Sequence, residues 1–313
     1  MKQQLFDTCG TSFLFESERD EAFQNQSILW HYDIADPNTH PVAKLGYRDR
    51  PQARIIWDGQ AELILEADWK EIRNTEVLKT LLHLISHYAL QKDKKFVIHA
   101  SSISLDGKAK LIYGSSGSGK TITALTSCFK HSARLISNGS SVVKIINDQP
   151  VVVGTHKKGL KLRQSSIKQA MPELADDLFS VDYDKSQFDR KRYVSPEDLG
   201  LMSEQNFCPL DRFYKIKLQP GSMHHNALEP YRTRLMLYED ISRLIRGSAS
   251  LLMFGEHADR TIRVPDLDNQ NIYSDRTKLI ESIVSGHLGD ALYGSPDQCA
   301  AYLAEKQQEV EYR

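Results

Sequence analysis

Residues 114–121 read Gly-Ser-Ser-Gly-Ser-Gly-Lys-Thr, which satisfies the pattern G-x-x-x-x-G-K-[ST] at Gly114, Gly119, Lys120 and Thr121. Each position has a mechanical reason. Gly114, Gly117 and Gly119 let the backbone take positive φ and turn successive N–H groups toward phosphate oxygens, with Ser115, Ser116 and Ser118 completing the cradle. In this pattern Lys120 is expected to reach the β- and γ-phosphates, and the Thr121 hydroxyl to hold Mg²⁺. The implied cofactors are ATP, or another nucleoside triphosphate, and Mg²⁺.

The flanks agree with the motif. Upstream, Lys110 to Tyr113 is apolar enough for the buried strand that such a loop follows. Downstream, Ile122 to Lys130 predicts a helix whose N-terminal dipole faces the anion. A bare pattern match in a Gly/Ser-rich stretch could be an ordinary surface loop. Strand, loop and helix in the right order argue for nucleotide phosphate.

A chain of 313 residues suits one large domain, or a core with a smaller appended one. A formal net charge of −1 supplies no global field for nucleic acid or membrane, so neither is expected as a partner. Cys9, Cys128, Cys208 and Cys299 are scattered without a C-x-x-C pair. That argues against a zinc site or a disulfide framework and fits a reducing compartment. No apolar run approaches the roughly 18 residues of a membrane span, and Met1 to Asp7 lacks a signal-peptide core. A cytoplasmic location is expected.

The first ninety residues pattern as a separate unit. Phe13–Phe15, Ala53–Trp57 and Ala61–Leu65 are short strands, the last two joined by a hairpin turn at Asp58-Gly-Gln. From Asn74 to Ala89, apolar residues recur at helical spacing, with Asn74 as the expected N-cap. Phe96–Ala100 and Ser102–Leu105 are strand-like, and a turn at Asp106 and Gly107 leads into the strand before the loop. The loop therefore lies beyond a hairpin and not at the end of a βαβ crossover. Arg134–Ile136, Ser141–Ile146 and Val151–Val153 continue the strands, with a tight turn at Asn147 and Asp148. Helical periodicity returns from Tyr231 to Arg246.

The run from Ile98 through His99 and the hairpin to Thr121 resembles the core of HPr kinase/phosphorylase-like proteins. The likeness is to their kinase-like branch and not to the HPr enzymes themselves. It is specific over residues 96–165 and looser to about 220. The resemblance implies an α/β fold: a P-loop nucleotide-binding core related to phosphoenolpyruvate carboxykinase over 93–313, and a small N-terminal β-plus-helix domain over 1–92. It implies an ATP-dependent kinase acting on a hydroxyl of a peptide, protein or small-molecule acceptor. A second copy of the chain is a further partner class.

The same resemblance implies residue roles. His99 would face the γ-phosphate or the acceptor hydroxyl; the bland alternative is a core histidine satisfied by backbone. A strand after the loop helix should end in two aspartates that handle Mg²⁺ and the substrate proton. Asn138 and Gly139 stand there instead. An amide binds a metal weakly through its oxygen and cannot accept a proton as a carboxylate does. Two readings follow: a kinase that draws its charge from elsewhere, or a nucleotide-binding regulatory or scaffolding protein without transfer. Asp106 and Asp148 are nearby in sequence but read as turn residues.

Lys191 and Arg192, in a basic stretch before Pro196, are candidates to neutralise the transferring phosphoryl group. Surface charge is the competing reading. Lys161 and Arg163 share one side of an expected strand, either near the substrate zone or blunting a sheet edge. His224 and His225 read as a loop pair with no third ligand in register, and Asp176 and Asp177 as a helix end or loop. A motor- or GTPase-like protein would need a strand ending in Asp, and residues 125–160 offer none. ATP versus GTP has no signature in the sequence.

Overall fold

The computed structural model describes residues 1–24, 32–155, 159–179, 191–204, 206–246, 251–255, 257 and 259–308. In chain order the elements begin with β1 (Lys2–Thr8), β2 (Thr11–Ser17), β3 (Asp33–Ile34), β4 (Ala43–Asp49), β5 (Arg54–Trp57) and β6 (Glu62–Ala67). Helices α1 (Trp69–Ile72) and α2 (Val77–Lys92) follow, then β7 (Phe96–Ile98), β8 (Ala100–Leu105), β9 (Lys108–Tyr113) and α3 (Lys120–His131). Next come β10 (Arg134–Ser137), β11 (Ser141–Ile146), β12 (Gln149–Thr155), β13 (Leu160–Arg163), α4 (Gln164–Ala170), α5 (Pro172–Leu178) and β14 (Lys191–Val194). The chain continues with β15 (Cys208–Leu218), β16 (His224–Ala227), α6 (Pro230–Ser242), β17 (Leu251–Phe254) and β18 (Arg260–Arg263). It ends with α7 (Gln270–Gly286), β19 (Leu288–Gly294) and α8 (Pro296–Gln308).

This is a mixed α/β architecture with two compact units. One contains residues 1–97 and 235–280; the other contains 98–155, 159–234 and 281–313. Sequence patterning divided the chain at 92/93 and assigned everything beyond to one domain. In the structure, 235–280 joins the first ninety-seven residues instead, because Ile245, Leu252, Phe254, Val264, Leu267 and Ile272 are buried in that unit's core.

In the first unit a sheet runs β3-β1-β2-β4-β6-β5. The expected β5–β6 hairpin is present, antiparallel, with Asp58 accepting from the N–H groups of Gln60, Ala61 and Glu62 across the turn. Helix α2 covers the sheet with Leu81, Leu82, Ile85 and Tyr88, all essentially buried. It starts three residues after the expected cap. Asn74 does not cap it; the Thr75 hydroxyl accepts from the Val77 N–H at 3.3 Å. Burial in this unit includes a charge: Glu16 on β2 takes Arg48, Lys44 and Gln3.

The second unit is built around β9, whose residues 109–112 are all buried. β8 and β9 form an antiparallel hairpin through Asp106 (φ 47°) and Gly107 (φ 75°), the left-handed pair that matches strand twist. Asn147 (φ 50°) and Asp148 (φ 61°) make the same kind of turn between β11 and β12. β10 flanks β8, and β15 runs parallel to β9 on its other side. β15 then pairs in parallel with β19, which carries β16 at the edge, while the start of β15 pairs with β12. A buried ion pair ties the two central strands, Lys110 Nζ to Asp211 Oδ2 at 2.7 Å. Helix α3 seats Ile122 and Leu125 in the core formed with Ile112, Tyr214, Ile216 and Leu292.

Candidate functional site

The end of β9 passes directly into the 114–121 loop, and the loop into α3. Its glycines are there for the backbone. Gly117 has φ 78° and Gly119, the residue before the helix, φ 101°. A Cβ on Gly119 would lie 2.2 Å from Leu218 Cδ1, and one on Gly114 would lie 2.3 Å from Ser118 Oγ and 2.7 Å from the Ile216 carbonyl. The loop is thus pressed against the last residues of β15, whose Leu218 N–H donates to the Ser118 carbonyl at 2.9 Å.

Among the described residues, the backbone N–H groups of Gly117, Gly119 and Thr121 have no intramolecular acceptor. They sit at the positive end of a twelve-residue helix, an arrangement that favours an anion. Ser118 Oγ is buried and has no hydrogen-bond partner among the described residues. Lys120 is buried, its ammonium donating to the carbonyls of Gly114 (2.7 Å) and Ser115 (3.1 Å). Ser115 and Ser116 are exposed. The donors fit a polyphosphate: amides, a lysine and hydroxyls converge on the loop.

Asn138 meets this loop from the next strand but one. The Thr121 hydroxyl donates to Asn138 Oδ1 at 2.7 Å, and the buried Ser101 hydroxyl donates to the same oxygen at 3.0 Å. A bulge makes this possible. β10 pairs Leu135 with Ile103 and Ser137 with Ser102, so Ile136 is extra and the strand end is re-aimed. Behind it, the hydroxyls of Ser102, Ser137 and Ser141 bond to one another at 2.6–3.2 Å, and Ser141 also donates to the Ala100 carbonyl. Gly139 follows in the left-handed region (φ 75°) with open space where a Cβ would point.

His99 is an exposed bend between β7 and β8. The antiparallel register pairs Ala100 with Tyr113, so His99 lies one step further, opposite Gly114. The fold therefore brings His99, the loop, Ser101 and Asn138 to the same end of the β8–β9–α3 unit. Lys191 and Arg192 are carried on a different pair of strands. Both lie on β14, paired with β13, and the Arg192 guanidinium donates to the Leu178 carbonyl. Lys161 and Arg163 lie on β13 as expected of a strand, Lys161 facing solvent over the Tyr193 ring. The starts of both basic stretches, Lys157 before β13 and Asp189 before β14, fall outside the described residues.

His224 and His225 are on a strand, β16, and not in a loop. His225 stacks near Tyr302, and no metal-holding group of His, Cys, Asp or Glu exists among the described residues. Asp176 and Asp177 lie within α5. No disulfide joins the cysteines among the described residues, and burial pushes the Cys128 thiol up to about 12. No described helix is long and apolar enough to cross a membrane.

Strand β15, which closes the loop, was absent from the sequence reading. Its alternation from Tyr214 to Leu218 was a readable signal, interrupted by adjacent buried Phe213 and Tyr214 where the register shifts.

No protein-family model and no curated protein matches the chain. Among solved structures, the Hpr(Ser) kinase/phosphatase from Coxiella burnetii matches 42% of this chain and 76% of that chain, at 13% identity and a TM-score of 0.26. A likeness that slight carries no argument, and the functional reading rests on the site.

Proposed function

We propose that the chain binds a nucleoside triphosphate on the 114–121 loop and transfers its γ-phosphoryl group to a hydroxyl of a peptide, protein or small-molecule acceptor. The HPr kinase-like proteins that residues 98–121 resemble suggest this class. The observation that carries the reading is the bond from Thr121 to Asn138: the first turn of the loop helix and the end of a neighbouring strand present two oxygens side by side. That is the disposition from which phosphoryl-transfer sites hold a metal.

In this reading the amides of Gly117, Gly119 and Thr121 bind phosphate oxygens, and Lys120 exchanges the carbonyls of Gly114 and Ser115 for the β/γ-phosphates. Mg²⁺, when bound with the nucleotide, supplies charge neutralisation across the phosphate oxygens. Thr121 and Asn138 are the residues that would hold it. The acceptor oxygen forms the new bond to the γ-phosphorus, the bond to the β–γ bridging oxygen breaks, and the diphosphate leaves with that electron pair. His99 takes the acceptor proton. Lys191 and Arg192 are not needed for this step; Lys120 supplies the facing charge.

A second reading, nucleotide binding without transfer, is favoured by one observation. The oxygen beside Thr121 belongs to a neutral amide, and no carboxylate bonds to Thr121 among the described residues. Loss of a general base typically slows a reaction by about 10²–10⁴ without abolishing it, so transfer remains the first reading. The test is γ-labelled ATP with Mg²⁺ and a lysate of acceptors. Label moving to an acceptor, and lost in Lys120→Ala, supports the kinase. Tight nucleotide binding with no transferred label selects the second reading.

A further inference from the structure

The second half of β15 carries two exposed lysines, Lys215 and Lys217, and among the described residues neither has a carboxylate partner. Register fixes what shares their face of the sheet. Lys215 lies beside Tyr113 on β9 and Ala291 on β19, and Ala291 lies beside Asn226 on β16. Lys217 lies beside Tyr293, which lies beside His224. Paired residues, and residues two apart along a strand, face the same way. One face therefore presents Tyr113, Lys215 and Asn226 in one row, and Lys217, Tyr293 and His224 in the next.

Neither row contains an acid. Asp290 lies out of step with these positions and accepts from Tyr302 at 2.6 Å, and Asp211 is held by Lys110. The opposite face of the same strands carries Tyr214, Ile216 and Leu292, which form the core. On the face with the lysines, Lys215, Lys217, His224 and Asn226 are exposed and Tyr113 and Tyr293 half-buried, which makes this end of the strands a cationic and aromatic platform, while Phe213 and Ala291 beside it are buried. Two like charges two residues apart on one strand, with no counter-charge, favour an anionic partner. The chain as a whole has a net charge of −1, so this is a local concentration of charge.

Two features select an extended peptide. β16 is the edge strand, all four of its residues are exposed, and among the described residues it pairs only with β19. Its outer backbone groups can receive an added strand. Tyr113 immediately precedes Gly114, so the platform runs without interruption into the phosphate loop.

We propose that Lys215, Lys217, Tyr113, Tyr293 and His224 form a docking face for an acidic, extended peptide segment of the acceptor. The word acceptor rests on the phosphotransfer reading; the docking itself does not. The platform holds carboxylates on its lysines while the edge of β16 takes the peptide backbone. A hydroxyl in that segment then lies toward the loop.

The test is fluorescence anisotropy with three labelled peptides of equal length, alternating Ser with Glu, Gln or Lys. The Glu peptide should bind the full chain, weaken as salt rises, and lose about tenfold in affinity in Lys215→Glu/Lys217→Glu. Lys215→Gln/Lys217→Gln should fall between, which guards against a folding defect in the reversal variant. Equal affinity for the Glu and Gln peptides, or no change in either variant, overturns the proposal. A fluorescent ATP analogue is titrated in parallel. Its affinity should survive both lysine variants; its loss there, with peptide binding kept, assigns the face to nucleotide and overturns the proposal. If the wild-type chain binds no ATP analogue while the Glu peptide still binds through Lys215 and Lys217, the phosphotransfer reading falls and the docking face stands.

Discussion

Thr121, in the first turn of the loop helix, donates its hydroxyl across 2.7 Å to Asn138, just past the end of β10, the strand that follows that helix in the chain. The bond exists because the bulge at Ile136 turns the end of β10 toward the loop, and because Ser101 holds the same Asn138 oxygen from β8 at 3.0 Å. Two hydroxyls and one amide oxygen thus form a neutral cluster at the place where the proposed phosphotransfer site would hold its metal.

Asn138→Asp tests what that neutrality costs. The substitution keeps the shape, keeps both hydroxyl donors, and adds a charge that binds Mg²⁺ and accepts a proton. Turnover of ATP with acceptor should rise by about tenfold or more. The Mg²⁺ concentration needed for half-maximal rate should fall. Gly139→Asp is the less informative partner, because φ 75° there costs a non-glycine residue about 1 kcal/mol. An Asn138→Asp variant with unchanged turnover and unchanged Mg²⁺ dependence would count against a weakened kinase.

Gly119→Ala should disable the loop by two routes. The residue has φ 101°, and the added methyl meets Leu218 at 2.2 Å. The combined cost is about 1–3 kcal/mol, read as a lower Tm, together with loss of nucleotide binding. Gly119→Ala/Leu218→Ala relieves the contact but not the backbone strain. It should therefore recover nucleotide affinity only in part. Full recovery would show that the contact with β15, and not the backbone, sets the requirement for glycine.

What the sequence could and could not disclose follows from how local each signal is. The β9–loop–α3 unit was legible because glycine placement, an apolar strand and helical spacing all fall within about twenty consecutive residues. The hairpins at Asp106 and Asn147 were legible for the same reason: their turns need residues that tolerate positive φ. β15 was not, since a register shift puts buried Phe213 and Tyr214 side by side and breaks the alternation. The placement of 235–280 with the first unit was also invisible, because only tertiary packing of Ile245, Phe254 and Leu267 decides it. Asn138 was recognised by position through resemblance alone. Its hydrogen bonds to Thr121 and Ser101 depend on a bulge that no local pattern announces.

Glu16 gives the first unit a pH signature. Burial pushes its carboxyl up, but the hydrogen bonds from Arg48, Lys44 and Gln3 outweigh burial and hold it below the usual glutamate range. A depressed folded-state pKa means stability that is fully present above the unfolded value, about 4.3, and lost as pH falls through the folded one. Glu16→Gln should lower stability near neutrality by about 1–3 kcal/mol, since Arg48 and Lys44 lose their shared carboxylate. The wild-type and variant melting temperatures should converge as pH drops below about 4. A constant gap across that range would mean that the loss is one of packing and not of charge.

Lys110 is a fully buried cation on β9, the strand that leads into the 114–121 loop, and Asp211 is its counter-charge from β15 at 2.7 Å. The ammonium also lies 5.8 Å from the Tyr214 ring centroid, in contact with the apolar side of the sheet. Removing one partner of such a pair is costlier than removing both, because the remaining charge stays desolvated. Asp211→Asn should cost about 3–5 kcal/mol and should loosen β9 against β15, where the loop begins. Lys110→Met/Asp211→Asn removes the stranded charge and should recover most of that loss. Denaturant melts of the two single variants and the double variant measure the coupling directly. Additive losses would show that the pair is not an energetic unit. A recovered double variant that binds nucleotide as the wild type does would show that the ion pair supports the strand and takes no part in the site it carries.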